Sequence, residues 1–201
     1  MGLFELKKPE VKPNNQEKAE RENSAFTSKY LNKHLDLLEN ISEDLVRFPA
    51  EGEIFFLQTL QAFNAFTFIQ KIAKTYFIEE LVATTYSVSM RVMEALQELQ
   101  RLGKIGEIKL LISDSMMSRN PKVTDALDAW ATTDANVKLI YTWNHSKITL
   151  AKTAEQHFCI EGSGNWSENA CYEQYIFYND KDVYEFRKQL LYDCKVVRSV
   201  N

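Results

Sequence analysis

Between residues 53 and 141 the chain alternates between two patterns of apolar positions. Four short apolar runs predict strands, at 53–57, 80–87, 107–113 and 136–141. Three segments with apolar residues every three or four positions predict helices, at 61–76, 90–102 and 122–131. A polar loop is expected at 114–121. Strands that alternate with helices indicate an α/β fold with parallel strands.

The last third of the chain has a different pattern, in which predicted strands follow one another closely. Strands are predicted at 145–151, 157–161 and 172–178, and a closing helix at 182–192. Connections this short favour antiparallel pairing, because parallel strands need a longer crossover. The whole pattern therefore predicts an α/β fold built on a mixed β-sheet.

The N-terminal part predicts two further segments. Residues 1–22 are polar, contain two prolines and balance their charges, which is typical of a flexible arm. Leu31, Leu35, Leu38, Ile41 and Leu45 then recur at helical spacing and predict an amphipathic helix that ends before Pro49. The expected layout is an arm at 1–22, an N-terminal helix at 23–50 and an α/β domain at 51–201.

Composition narrows the class of protein. Hydrophobic residues make up 45% of the 201 residues and aromatic residues 12%, as in a globular chain with one sizeable core. No apolar run has membrane-spanning length and no signal-peptide pattern is present, so we expect a cytoplasmic protein without a membrane partner. The three cysteines have no metal-ligand spacing. A net charge of −4 disfavours tight, sequence-independent binding of DNA, but it does not exclude a local basic groove.

The candidate chemistry lies between residues 145 and 173. His145 and Lys147 are two positions apart, so on a strand their side chains would point to the same face. A turn-rich segment, Gly-Ser-Gly-Asn, follows at 162–165, and Glu173 comes shortly after it. Imidazole, ammonium, hydroxyl, amide and carboxylate are the groups that attack and hold a phosphodiester.

This order of residues resembles the phospholipase D superfamily, whose HKD motif is H-x-K-x4-D-x6-G-S-x-N. The matching residues are His145, Lys147, Gly162, Ser163 and Asn165. The motif aspartate is displaced, and its position falls on Lys152 counted forward from the histidine or on Glu155 counted back from the glycine. The resemblance implies that helices flank the mixed sheet on both faces, and that the enzyme needs no metal or other cofactor.

The resemblance also implies a role for each site residue. In the superfamily one histidine attacks phosphorus to give a covalent phosphohistidine, and a second histidine protonates the leaving group. This chain has one H-x-K, so His145 would supply both roles from the two chains of a homodimer with a shared active site. Lys147 and Asn165 would bind the phosphoryl oxygens, Ser163 would add a donor, and Glu173 would orient the imidazole.

We therefore expect a phosphodiester hydrolase, most simply a metal-independent nuclease that acts on DNA. The alternative is a catalytically weak module that binds nucleic acid or a protein partner, and a lipid head-group hydrolase is disfavoured because no basic amphipathic segment is present. Three further features are candidates for the border of the site. They are the strand end at 84–87, His157, and the flanking tryptophans Trp143 and Trp166, which either stack on a base or pack around the motif.

Overall fold

The computed structural model describes residues 30–35, 45–59, 64–167 and 172–201. Its strands are β1 (Tyr30–Leu35), β2 (Ile54–Thr59), β3 (Ile78–Thr85), β4 (Ile105–Ser113), β5 (Val137–Thr142), β6 (Ile148–Lys152), β7 (His157–Gly162), β8 (Gln174–Asn179) and β9 (Val196–Val200). Its helices are α1 (Phe66–Thr75), α2 (Met90–Arg101), α3 (Ser115–Arg119), α4 (Pro121–Thr133), α5 (Lys181–Lys188) and α6 (Leu190–Asp193).

The strands of the described residues form one sheet in the order β1-β2-β8-β7-β6-β3-β4-β5-β9. β3, β4 and β5 are parallel, and so are β1 and β2. The remaining neighbours pair antiparallel. The predicted mixed α/β sheet is confirmed.

Helices cover both faces of this sheet, as predicted. Successive residues of β3 show why: Leu81 and Ala83 belong to one apolar core and Val82 to the other. The larger core packs against apolar side chains of α1, α2, α3 and α4. The smaller core packs against α5 and α6, and Tyr184 of α5 is fully buried in it. Because both faces are covered, seven of the eight residues of β3 are buried.

Several strands meet at one edge of the sheet, which we call the carboxyl edge. β3, β4 and β5 end there, at Thr85, Ser113 and Thr142. β6 runs antiparallel to β3, so it begins at this edge with Ile148 paired to Thr84. β7 ends and β8 begins at the same edge. Segments 145–147 and 162–165 therefore lie side by side, where crevices of α/β sheets bind ligands.

The predicted N-terminal helix is wrong where the structure describes it. Tyr30–Leu35 is a strand that pairs in parallel with β2, and residues 45–50 are not helical. The free edge of β2 offers a row of backbone donors and acceptors, and pairing with it outweighs the weak helix preference of the segment. The predicted arm at 1–22 and residues 36–44 of the helix lie outside the described residues.

Four smaller expectations also need correction. The expected loop at 114–121 contains α3, and the closing helix is divided into α5 and α6. His145 and Lys147 precede β6 instead of lying on it, so the strand argument for their common face does not apply. β9 was not predicted, because a five-residue exposed segment has no buried periodicity and is defined only by its pairing with β5.

Candidate active site

The loop before β6, residues 144–147, carries His145 and Lys147 and is held by one amide side chain. Nδ2 of Asn144 donates to the carbonyl oxygens of Thr85 (3.1 Å) and Leu111 (3.3 Å), at the ends of β3 and β4. Its Oδ1 accepts from the backbone N–H of Ser146 at 3.0 Å. The loop is thus fixed to the tips of two central strands.

His145 and Lys147 are in direct contact within this loop. Lys147 Nζ lies 3.2 Å from His145 Nδ1 and donates to the His145 carbonyl oxygen at 2.7 Å. The imidazole is exposed and the lysine half-buried. Partial burial lowers the pKa of Lys147, while the charge of Glu173 acts in the opposite direction. The structure therefore brings the imidazole, the ammonium and the carboxylate to one place.

The two glycines of the 162–165 turn are required by a close approach to Tyr175. A Cβ atom at Gly164 would lie 1.9 Å from the Tyr175 hydroxyl oxygen. A Cβ atom at Gly162 would lie 2.4 Å from both the Gln174 carbonyl oxygen and the Tyr175 ring. A side chain at either position would displace the strand that carries Glu173. The Gly-Ser-Gly spacing is therefore a packing requirement of the turn.

Ser163 and Glu173 form a hydrogen-bonded pair between the turn and β8. The Ser163 hydroxyl donates to Glu173 Oε2 and accepts from the backbone N–H of Gln174 at 3.1 Å. Glu173 is only 4% exposed, and its carbonyl oxygen accepts from Gln58 Nε2 at 3.0 Å. A buried carboxylate needs such donors because burial disfavours its charge.

Asn165 is connected to His145 through Tyr86, the residue after β3. Asn165 Oδ1 accepts from the Tyr86 backbone N–H at 3.2 Å. The Tyr86 ring lies 5.0 Å from the His145 ring, measured between ring centres. Because this bond uses the amide oxygen, the amide NH2 group keeps its capacity to donate to another acceptor.

The positioning role of Asn144 and the contact between Tyr86 and His145 were not predicted from the sequence. The strand end at 84–87 was expected near the site, but no periodicity indicates which ring meets the imidazole. An asparagine beside H-x-K is a signal of a loop, since its side chain bonds to nearby backbone groups. The partners Thr85 and Leu111 are distant in sequence and follow only from the strand order.

Three residues whose membership of the site could not be decided from the sequence lie away from the carboxyl edge. His157 begins β7 and Gly162 ends it, which separates them by about 17 Å along the strand. Lys152 ends β6 and forms an ion pair with Glu79 at 3.0 Å. Glu155 lies in the turn between β6 and β7. Both positions of the displaced motif aspartate are therefore at the opposite end of the sheet.

The two tryptophans that flank the motif differ sharply in exposure. Trp166 is 1% exposed and donates from Nε1 to Thr149 Oγ1 at 3.2 Å, so it packs in the core and cannot stack on a ligand. Trp143 is 72% exposed at the carboxyl edge. Of the two stacking candidates, only Trp143 is accessible.

Among the described residues, no three His, Cys, Asp or Glu side chains are grouped in a way that could hold a metal ion. No helix in this part of the chain combines the length and apolar character needed to cross a bilayer.

Comparisons with known proteins show similarity at the level of structure. No family model matches the sequence, and no curated protein matches it. Phosphatidylserine synthase from Haemophilus influenzae superposes with a TM-score of 0.51 and 11% identity, over 72% of this chain and 40% of that chain. NucT from Helicobacter pylori gives 0.44 and 16%, over 70% and 99% of the two chains. TrmBL2, an archaeal chromatin protein, gives 0.49 and 13%, over 91% and 65%.

The architecture and the superposition define the class of the molecule. The chain has a phospholipase D-like fold, as the H-x-K and G-S-x-N segments predicted. It spans 40% of the length of the synthase chain that it matches. At this level of identity the likeness establishes the fold, and the chemistry has to be argued from the site residues.

Proposed function

We propose that this protein is a metal-independent phosphodiesterase that cleaves DNA through a covalent phosphohistidine on His145. One observation supports this most strongly: hydrogen bonds, one ring contact and one electrostatic interaction link the five candidate side chains at the carboxyl edge. Lys147 contacts His145 and interacts with Glu173, which bonds to Ser163. Asn165 is joined to the same group through Tyr86, which lies beside the imidazole.

The proposed reaction begins when a phosphate enters between the imidazole and the 162–165 turn. Lys147 Nζ and the Asn165 NH2 group would donate to its non-bridging oxygens. Ser163 would add a further donor by turning its hydroxyl from Glu173 to the phosphate. Lys147 now lies against Nδ1 of His145. When the Lys147 ammonium moves to the phosphate, Nδ1 of His145 would be free to carry the imidazole proton. Glu173 would accept a hydrogen bond from this N–H and so fix the tautomer. The Nε2 lone pair would then face phosphorus.

The chemical step needs a second proton-transfer group. Nε2 of His145 forms a bond to phosphorus as the bond to the leaving oxygen breaks, and that oxygen takes a proton from an acid. A protonated His145 of a second copy would supply it. Water then attacks the phosphohistidine, gives its proton to the same acid-base group, and releases His145. The exposed position of His145 leaves room for a second copy to approach.

The first experiment is incubation of purified protein with plasmid and labelled single strands in excess chelator. We expect cleavage under these conditions, abolished by His145→Ala. The matched control is His157→Ala, which changes the same residue type at the opposite end of β7 and should leave cleavage largely intact. Cleavage that requires an added divalent metal would contradict the mechanism.

Phosphate binding without cleavage of any diester would favour a different function. In that case the pocket belongs to a module that holds nucleic acid, and the net charge of −4 fits such a weaker interaction. Isothermal titration with inorganic phosphate and an oligonucleotide measures this binding, and the cleavage assay then separates the two functions.

A further inference from the structure

Two aromatic rings, of half-buried Tyr86 and exposed Trp143, lie at the carboxyl edge beside the proposed phosphate pocket, and each has a cation over its face. The Arg119 guanidinium lies 4.1 Å from the Tyr86 ring centre, and Nη2 donates to the Tyr86 carbonyl oxygen at 3.2 Å. The Lys195 ammonium lies 4.1 Å from the Trp143 ring centre. Neither cation was singled out by the sequence.

The fold brings the four residues together from distant parts of the chain. Tyr86 follows β3, Arg119 ends the short helix after β4, and Trp143 follows β5. Lys195 precedes β9, and its carbonyl oxygen accepts from the hydroxyl of Thr142 at 2.7 Å. The pairing of β9 with β5 thus fixes the lysine beside the tryptophan.

The two pairs lie in a row that begins at His145. From β6 the neighbouring strands are β3, β4, β5 and β9, so the row extends about 19 Å along the edge of the sheet. The Tyr86 ring is the first member, 5.0 Å from the imidazole. Trp143 and Lys195 form its far end.

Fold stability does not explain these pairs. A cation over an exposed ring contributes only about 0.5–1 kcal/mol, and Trp143 leaves 72% of its surface in water. Single exposed aromatic side chains also occur elsewhere on the described surface, as at Phe186, so what distinguishes Trp143 is its position in one row with Tyr86 and His145. An aromatic face offers stacking to a base, and the adjacent cation offers charge to the phosphate of the same nucleotide.

We propose that the Tyr86–Arg119 and Trp143–Lys195 pairs form a binding track for single-stranded nucleic acid that leads to His145. This inference rests on the proposed function, since the track would deliver a phosphodiester to the imidazole. Stacking on Trp143 requires a base whose face is free, and in a duplex the base faces are covered by their neighbours. The track therefore selects unpaired strands without a sequence preference.

Intrinsic fluorescence gives a direct test, because the tryptophans of the chain differ in exposure. The chain has three: Trp130 is 7% exposed, Trp166 1% and Trp143 72%. Titration of the full chain with oligothymidylate should quench the emission of Trp143, and Trp143→Phe should remove the quenching. Trp143→Ala should weaken binding of a labelled oligothymidylate by roughly tenfold, as expected for loss of one stacked base.

A matched control comes from the other face of the sheet. Phe186 of α5 is 70% exposed and lies 5.4 Å from the Arg187 guanidinium, so it is another exposed cation–aromatic pair, on a helix that is not part of the row. Phe186→Ala should leave oligothymidylate affinity unchanged. Arg119→Gln and Lys195→Gln should each reduce the slope of log affinity against log salt by about 0.7.

The outcomes separate the track from the nuclease function. Quenching and oligonucleotide binding without cleavage would support the track and contradict the proposed nuclease. If Trp143→Ala and Phe186→Ala cleave labelled strands with the same KM, the binding track is wrong and the nuclease function stands. Absence of quenching, or affinity for duplex equal to that for single strands, would also overturn it.

Discussion

Asn144 is the residue on which the position of His145 most depends. Its amide NH2 group joins two carbonyl oxygens from different strands, and its oxygen accepts from Ser146. A misplacement of a reacting group by about 1 Å can cost roughly 100-fold in rate. A side chain outside the motif therefore controls the geometry of the motif.

Asn144→Asp tests this dependence because it keeps the shape of the side chain and removes both donors. The new carboxylate would face the carbonyl oxygens of Thr85 and Leu111, so we expect a fall in kcat of about 100-fold. We also expect a loss of about 1–3 kcal/mol in the free energy of unfolding. Steady-state kinetics and urea unfolding measure the two effects.

Asn136→Asp is the matched control, since this exposed asparagine lies in the turn before β5. It introduces the same charge and should change neither quantity measurably. Equal kcat for Asn144→Asp and the native chain would show that the loop keeps its position without this amide.

At this scale the sequence predicted the candidate site residues but not their supports. His145, Lys147, Ser163, Asn165 and Glu173 can be read from spacing, and the structure brings them to one edge. Asn144 and Arg119 cannot, because their roles depend on carbonyl groups and rings that are distant along the chain. The need for glycine at position 164 also cannot be predicted from the sequence, because it arises from the packing of Tyr175 against the turn.

At the scale of elements, most strands and helices were predicted because their burial is periodic. β3 and β4 each contain apolar residues buried on both faces, and α2 has a clear apolar stripe followed by Gly103. β1 and β9 are the exceptions. Each is an edge strand whose conformation is set by hydrogen bonds to a neighbour, and pairing of this kind leaves no local pattern.

Helix α5 is joined to the sheet by a buried charge network around Glu80. This carboxylate is 8% exposed and lies 2.5 Å from both Lys109 Nζ and Lys188 Nζ. The Tyr184 hydroxyl donates to it at 2.9 Å. Burial raises the pKa of Glu80, but these hydrogen bonds outweigh burial and lower it to about 2.

Replacement of Glu80 by glutamine should make the free energy of unfolding less sensitive to a fall in pH. The folded pKa is below the ordinary value of 4.5, so the carboxylate contributes its full stabilisation above about pH 4.5. That contribution is lost as pH falls towards 2. We expect Glu80→Gln to reduce the free energy of unfolding by about 3 kcal/mol at pH 7, and by clearly less at pH 3.

Glu107→Gln is the control for this prediction. Glu107 also pairs with Lys109, at 2.8 Å, but its side chain is 56% exposed. Its replacement should change stability by less than about 1 kcal/mol at either pH. Urea unfolding at the two pH values would contradict the account if the two variants behaved alike.

At the scale of the whole molecule, the proposed mechanism requires two copies of the chain. Each chain has one H-x-K, whereas nucleophile and acid must be separate imidazoles. A two-fold axis at the carboxyl edge would bring two His145 side chains to one phosphorus atom. The exposure of His145 and Trp143 leaves this edge accessible.

A mixing experiment measures whether the site is shared. Wild type and His145→Ala are unfolded together in equal amounts, refolded and assayed. If chains pair at random and both histidines are needed, roughly a quarter of the activity should remain. If each chain works alone, about half should remain. Light scattering gives the mass of the active species, and a fully active monomer would contradict a shared site.

Covalent trapping of phosphate tests the central claim most directly. A phosphohistidine survives alkali and is lost in acid, so a reaction with labelled diester is quenched in alkali during turnover and the chain is digested. We expect the label on the peptide that contains His145, its absence in His145→Ala, and its persistence in His157→Ala. Turnover without any alkali-stable label, or a label retained by His145→Ala, would show that His145 is not the nucleophile.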